Sequence, residues 1–111
     1  MNELLESLKK TLLEGLAEIF PTISYRVILY GSYARGEYDE ESDLDIMVIA
    51  DIEESEKSLY RQAVNRLADR LSLQYAHVVS LLLVPEAKFR RYDKIMPLYI
   101  DVMREGQVLN V

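Results

Sequence analysis

Two short apolar runs, joined by a glycine-serine turn and followed by an aspartate pair, constrain the fold of this chain most strongly. Residues 27–29 lead into Gly31, and residues 46–49 follow Asp45. Short apolar runs bounded by glycine or charged residues are typical of buried strands. The pattern predicts a strand, a tight turn with a short helix, a loop and a second strand.

The residue types at the turn and after the loop suit a phosphate and a metal ion. Gly31 has no Cβ, so a ligand can approach the backbone closely. Ser32 supplies a hydroxyl, and the amides after it open a helical turn whose free N–H groups can bind phosphate. Asp43 and Asp45 stand two apart on the second strand, so both carboxylates leave one face. This arrangement predicts a metal–nucleotide site, because Mg²⁺ binds a few carboxylates together with substrate phosphates.

The ordinary alternative treats these residues as part of a solvated surface. Asp43 and Asp45 would then be polar residues on the wet face of a half-buried strand. Two adjacent like charges repel each other, so an unliganded pair has a cost, which favours the metal–nucleotide interpretation. For Arg35, a role in nucleotide binding and a structural salt bridge both stay open. Gly36 is expected to end the short helix.

The segments Gly-Ser-Tyr-Ala-Arg-Gly (residues 31–36) and Ser-Asp-Leu-Asp (residues 42–45) resemble the signature of the DNA polymerase beta-type nucleotidyltransferase superfamily. The short chain resembles its minimal nucleotidyltransferases, which are often paired with an all-helical HEPN protein in toxin–antitoxin modules. The resemblance implies transfer of a nucleoside monophosphate, expected to be AMP from ATP, to a hydroxyl. A tyrosine of a HEPN-type toxin is a plausible acceptor, and this chain would act as the antitoxin.

The resemblance also implies a role for each residue of the motif. Asp43 and Asp45 would be the catalytic residues and would bind Mg²⁺ or Mn²⁺. Gly31, Ser32 and Arg35 would bind ATP or another nucleoside triphosphate.

A third carboxylate of the superfamily lies on the next strand, and the matching position here is Val78, with Ser80 on the same face. The sequence therefore leaves two classes open. One is an active nucleotidyltransferase. The other is a catalytically weak nucleotide-binding protein that neutralises a partner by docking. Other carboxylates that could complete the pair are Glu86, Asp101 and those of residues 37–41.

Size and charge limit the remaining possibilities. The 111 residues are expected to form one domain, residues 1–111. A net charge of −6 argues against binding to bulk nucleic acid, which needs a basic surface, and favours a protein partner. No apolar run approaches the roughly 20 residues of a membrane span. A cytoplasmic location is expected.

Periodicity predicts an α/β (α+β) domain, and the resemblance implies the nucleotidyltransferase fold, with a short mixed sheet and helices chiefly on one face. Asn2 is expected to cap the first helix, and Gly106 to end the last one as a left-handed cap. His77, the only histidine, is interpreted as a strand-end residue rather than a ligand or base. Long helices are expected over residues 2–20 and 51–75, short ones within 85–93 and from 96 onward, and further strands over 24–30 and 77–84.

Overall fold

The computed structural model describes residues 3–110, so Asn2, the expected cap of the first helix, lies outside the described residues. The helices are α1 (Glu3–Ile19), α2 (Ser32–Arg35), α3 (Lys57–Tyr75), α4 (Glu86–Tyr92) and α5 (Pro97–Glu105), and a 3-10 turn (Glu54–Glu56) precedes α3. The strands are β1 (Tyr25–Tyr30), β2 (Leu44–Ala50), β3 (Val79–Pro85) and β4 (Gln107–Val108).

The four strands form one mixed sheet in the order β3-β2-β1-β4. β1 runs antiparallel to both β2 and β4, whereas β2 and β3 are parallel and are connected through α3. A parallel pair needs a long connection of this kind, usually a helix. Because of these directions, the start of β2, the start of β3 and the end of β1 meet at one end of the sheet.

Alternation along β2 divides the core between the two faces of the sheet. Leu44, Ile46 and Val48 are buried in the larger cluster with α1 and α3, whereas Met47 and Ile49 belong to the smaller cluster beneath α4 and α5. The two long helices therefore share one face, and only the short helices cover the other. This arrangement confirms the predicted fold class.

The long helices bury the stripes that their spacing predicts. Apolar residues three or four apart lie on one side of a helix, and burial of that side provides most of the stability of a helix in a protein. The buried stripe of α1 contains Leu5, Leu8, Leu12 and Leu16, and that of α3 contains Val64, Leu67, Ala68 and Leu71. No helix in the described part of the chain is long and apolar enough to cross a membrane.

The prediction for Gly106 was wrong. Its backbone is extended, with φ −68° and ψ 150°, rather than left-handed. A Cβ at this position would collide with the Val102 carbonyl and with the Ile28 side chain. Glycine is therefore needed for space, where the chain leaves α5 and pairs with β1 as β4. The sequence did not predict β4, since two residues are too few to show a strand period.

Two further boundaries differ from the expected ones. β3 begins at Val79 rather than at His77, and β2 begins at Leu44, so Asp43 lies immediately before its strand. The pairing of β2 with β3 nevertheless extends to Val78, because the Leu44 N–H donates to the Val78 carbonyl at 2.9 Å. The faces that the sequence assigned to these side chains are therefore unchanged.

Candidate functional site

The glycine-serine turn and the second aspartate are in contact at the end of β1. Tyr30, the last residue of β1, pairs with Asp45, and Gly31 follows with φ 76° and ψ −154°. A Cβ built on Gly31 would lie only 2.8 Å from Oδ2 of Asp45. Both the backbone conformation and the proximity of the carboxylate therefore require glycine at this position.

The short helix α2 begins directly after this glycine. Arg35 N–H donates to the Gly31 carbonyl at 3.2 Å, which closes the first turn. Gly36 ends the helix in the left-handed conformation, with φ 74° and ψ 17°, and this confirms the expected stop. Ser32, as the first helical residue, is thereby fixed next to the turn that approaches Asp45.

The two aspartates differ in exposure. Asp43 is exposed, whereas Asp45 is half-buried on the sheet face that also carries Met47. Burial raises the pKa of Asp45, and the negative charge of Asp43 raises it further. Burial and the charge of Asp45 together raise the pKa of the Tyr30 hydroxyl beside it. The electrostatics of this corner therefore disfavour an unneutralised carboxylate pair and favour a cation.

The neighbouring strand offers no third acid to this pair. The parallel register places Ser80 directly beside Asp45, and the hydrogen bond from Leu44 to Val78 places Val78 beside Asp43. Ser80 is exposed, and Val78 is 60% exposed. Across residues 3–110, no group of three histidine, cysteine, aspartate or glutamate side chains is arranged to hold a metal ion.

Several of the other candidate acids have partners elsewhere. Glu86 accepts hydrogen bonds from Arg26 at 3.4 Å and from Arg90 at 3.2 Å, and Asp101 pairs with Arg104 at 2.9 Å. In the loop 37–41, the Asp39 carboxylate accepts hydrogen bonds from the Ser42 hydroxyl and the Glu41 amide. None of them joins Asp43 and Asp45 in a three-acid group within the described residues.

Arg35 forms salt bridges on both sides of α2. Its guanidinium lies 3.3 Å from Glu37 and 3.3 Å from Glu105, which ties the turn to the end of α5. Hydrogen bonds to these two carboxylates raise the pKa of Arg35 further above its ordinary value. The structural salt bridge is thus present in this structure, and nucleotide binding by Arg35 stays a prediction.

Sequence reasoning missed a hydrogen-bonded group beside the turn. Nε2 of His77 lies 2.6 Å from the Ser42 carbonyl oxygen and 3.0 Å from the Tyr33 hydroxyl. The Tyr33 ring stacks on Tyr38, with centroids 4.1 Å apart and planes 8° apart. Nothing in the local sequence could have indicated these contacts, because His77 is 44 residues from Tyr33 and 35 from Ser42.

A cavity lies at the opposite end of the sheet from this site. Its volume is about 820 Å³, and its lining includes Arg26 at the start of β1 and Asp51 just after β2. The Arg26 guanidinium sits 5.6 Å from the centre of the Phe89 ring and pairs with Glu86. Because Asp45 stands at the start of β2, the cavity is no part of the aspartate site.

Comparison with known proteins identifies the family. Residues 9–109 match the family model of the nucleotidyltransferase domain, which is most of the chain. The chain therefore belongs to the nucleotidyltransferase domain family.

Two curated proteins of Methanocaldococcus jannaschii are similar in sequence. The chain is 46% identical over 55 residues to "Putative protein adenylyltransferase MJ0141", a match that covers 50% of this chain and 54% of that protein. It is 34% identical over 84 residues to "Putative protein adenylyltransferase MJ0604", which covers 76% of each. The match thus spans about half the length of the first relative and about three quarters of the second.

Solved structures share the fold. One described as a "putative minimal nucleotidyltransferase" is 29% identical, with a TM-score of 0.62 over 96% of this chain and 95% of that one. A toxin–antitoxin structure with AMP-PNP has a TM-score of 0.60 at 22% identity, covering 91% of this chain and 71% of that one. The structure of a tri-AMPylated Shewanella oneidensis HEPN toxin in complex with MNT antitoxin has a TM-score of 0.55 at 19% identity. That match covers 94% of this chain and 70% of the other.

Proposed function

We propose that this chain transfers AMP from ATP to a hydroxyl group of a partner protein, with Gly31, Ser32, Asp43 and Asp45 as the core of the site. The observation that carries the proposal is the contact between Gly31 and the Asp45 carboxylate. It brings a turn suited to phosphate against a residue suited to a metal ion, on a chain that belongs to a nucleotidyltransferase family. Two relatives whose names include protein adenylyltransferase support AMP as the transferred group.

The residues present fit a hard divalent cation. Asp43 and Asp45 supply carboxylate oxygens, the ligands that Mg²⁺ and Mn²⁺ prefer, and burial together with like charge disfavours their unneutralised state. When bound, such an ion supplies charge neutralisation at the phosphoryl groups of the nucleotide. Two carboxylates alone leave most of an octahedral shell to water and phosphate oxygens. We therefore infer that metal and nucleoside triphosphate bind together.

The turn would position the triphosphate for the reaction. The missing side chain at Gly31 lets the turn approach the Asp45 carboxylate, and the Ser32 hydroxyl can donate a hydrogen bond to a phosphate bound beside it. The acceptor hydroxyl oxygen would attack the α-phosphorus of ATP and lose its proton to solvent water, while the bond from the α-phosphorus to the oxygen that bridges to the β-phosphorus breaks and pyrophosphate leaves. Arg35, within reach of Glu37 and Glu105, would hold α2 in place and face the phosphates only if it leaves one of these partners.

The acid-free positions on β3 favour a slow reaction. Val78 and Ser80 lie beside the aspartates, and neither can accept the proton of the attacking hydroxyl as a carboxylate can. Positioned proton transfer typically contributes about 10²–10⁴-fold, so its loss slows transfer without preventing it. The same observation supports a second candidate function, in which the chain binds the nucleotide and neutralises its partner by docking.

We propose a HEPN-type helical protein as the partner, with this chain as its antitoxin in the cytoplasm. Structural neighbours of this fold include a HEPN toxin in complex with its MNT antitoxin, although their identity of 19% supports the shared fold alone. The net charge of −6 favours a basic protein surface over nucleic acid as the partner. A tyrosine hydroxyl of the partner is the proposed acceptor.

The decisive experiment is transfer of labelled AMP from ATP to the cognate partner with Mg²⁺ or Mn²⁺. We expect slow transfer by the wild type and none by the double variant Asp43→Asn, Asp45→Asn. Asp101→Asn is the matched control, since it removes an exposed carboxylate that pairs only with Arg104 among the described contacts. Unchanged transfer in the double variant would show that the site lies elsewhere. Neutralisation of the partner without AMP attachment would favour the docking function instead.

A further inference from the structure

A single imidazole connects the two halves of the proposed site. His77 lies between α3 and β3, and its Nε2 is within hydrogen-bond distance of the Tyr33 hydroxyl and the Ser42 carbonyl. Tyr33 is the residue after Ser32, and Ser42 is the residue before Asp43. The His77 ring therefore contacts the residue that follows Ser32 and the residue that precedes Asp43.

The chemistry of the two acceptors determines the position of the proton on this ring. A carbonyl oxygen can only accept, so the short 2.6 Å contact with Ser42 requires a hydrogen on Nε2. The Tyr33 oxygen, at 3.0 Å, then accepts a share of the same N–H. This assigns the neutral ring to the tautomer that is protonated at Nε2 and leaves Nδ1 without a hydrogen.

The surroundings of the ring hold it in this orientation. Tyr33 is only 6% exposed, and its ring meets the imidazole edge-on at a centroid distance of 5.5 Å and an angle of 78°. The His77 backbone N–H donates to the Ser72 carbonyl at 3.1 Å, which anchors the residue to the end of α3. The ring is therefore fixed from both sides, by α2 and by α3.

The bonded carbonyl controls the position of the first aspartate. The Ser42 carbonyl belongs to the peptide unit that continues into the Asp43 backbone nitrogen. The next contact along the chain is the hydrogen bond from Leu44 to Val78, which begins the pairing of β2 with β3. A displaced Ser42 carbonyl would therefore rotate the peptide that carries Asp43, while Asp45, inside the strand, would keep its position.

We infer that His77 is a positioning residue for nucleotidyl transfer, which holds the Asp43 backbone and the Ser32 turn at a fixed separation through its Nε2–H. This inference rests on the proposed function, because it assigns His77 a role in the same site. Transfer depends strongly on the alignment of the reacting groups, and a misplacement of about 1 Å can cost roughly 100-fold in rate. His77 itself contacts neither of the two aspartate carboxylates in this structure and is not a ligand or a base.

Two substitutions of His77 test whether transfer needs the Nε2–H hydrogen bond or only a polar side chain at this position. The amide nitrogen of His77→Gln lies near the place of Nε2, whereas that of His77→Asn lies near the place of Nδ1. We expect His77→Asn and His77→Ala to lower the AMP transfer rate by about 10- to 100-fold, and His77→Gln to restore most of it. Tyr33→Phe removes one acceptor only, and we expect a smaller loss in the same direction.

A matched control excludes a general effect on stability. The Tyr75 hydroxyl lies 2.8 Å from the Thr11 hydroxyl and 3.1 Å from that of Ser7, so Tyr75→Phe also removes a tyrosine bond between elements. The contacts of the Tyr75 hydroxyl join α1 to α3 and involve no residue of the proposed site. We expect Tyr75→Phe to lower the unfolding temperature without lowering the transfer rate. If the transfer rate of every variant fell in proportion to its loss of stability, the inference would be overturned.

A second measurement does not depend on activity. His77 is the only histidine, so the ¹⁵N chemical shifts of the imidazole in the labelled full-length protein report its tautomer directly. We expect a protonated Nε2 at neutral pH. A ring protonated at Nδ1 alone would overturn the inference whatever the activity of the protein. A wild type that transfers no AMP would refute the proposed function and this inference together, whereas a His77→Ala variant that transfers AMP at the wild-type rate would refute only the inference.

Discussion

Replacing Gly31 with alanine tests the contact between the turn and the Asp45 carboxylate. With φ 76° and ψ −154°, the backbone occupies a region nearly restricted to glycine, and a side chain there costs about 1–3 kcal/mol. The new Cβ would also lie 2.8 Å from Oδ2 of Asp45, whereas ordinary contact begins at 3.4 Å. The carboxylate must therefore retreat by about 0.6 Å, a displacement large enough to disturb metal and nucleotide binding.

Gly36→Ala is the matched control for this substitution. Its φ of 74° is also positive, but no atom lies within 4 Å of a Cβ at this position. Backbone strain of about 1–2 kcal/mol is the only expected cost there, which corresponds to a fall in Tm of about 4 °C per kcal/mol. Only the first substitution displaces Asp45, so only Gly31→Ala should also lose nucleotide affinity.

The assay combines denaturant unfolding with calorimetric titration of Mg-ATP. We expect both variants to lose stability, and Gly31→Ala alone to bind Mg-ATP at least about tenfold more weakly, which is about 1.4 kcal/mol. Equal Mg-ATP affinity of the two variants at equal folded fraction would refute the reasoning, because displacement of Asp45 is the feature that separates them.

Three further predictions follow from the same site. The pKa of Asp45 is higher in the folded than in the unfolded chain, so the charged carboxylate destabilises the fold and stability rises as the pH falls through the folded pKa. Asp45→Asn should therefore raise stability near neutral pH and remove this pH dependence, as measured by denaturant unfolding across the acidic range. Val78→Asp, beside Asp43, should raise the rate of labelled-AMP transfer by up to about 100-fold, and Ser80→Asp serves as the comparison at the neighbouring position. Arg35→Ala breaks two exposed ion pairs, so it should change the unfolding temperature only slightly, and an unchanged KM for ATP would show that Arg35 is structural only.

The sequence predicted those parts of the fold that depend on local pattern. The apolar runs around Gly31 and Asp45 determine β1, β2 and the turn between them, because glycine, alternating faces and charged boundaries each act within a few residues. The spacing of the leucines likewise predicted the buried face of α1. The positions of Gly31 and Asp45 relative to each other could also be inferred, since strands of a hairpin-like pair bring their adjoining ends together.

The parts that the sequence did not predict depend on contacts between distant segments. Glycine is a common helix cap, but at position 106 it is needed because the Ile28 side chain and the Val102 carbonyl leave no room for a Cβ. β4 exists because β1 offers a free edge to the chain after Gly106. His77 lies two residues before β3 rather than at the strand end that the sequence predicted, and its bond to Ser42 follows from the alignment of β3 with β2.

The register of β3 also alters the interpretation of the missing acid. The sequence pointed to Val78, and the structure shows that Val78 and Ser80 flank Asp43 and Asp45 respectively, so either position could present a carboxylate to the pair. In the proposed site, where neither position is acidic, two carboxylates would hold a cation whose shell prefers six oxygens. Substrate phosphates are the strongest ligands left to complete that shell. Metal affinity should therefore depend on the nucleotide, and nucleotide affinity should depend on the metal to the same degree. Burial, and then the negative charge of Asp43, raise the pKa of Asp45, which disfavours the carboxylate pair without a cation.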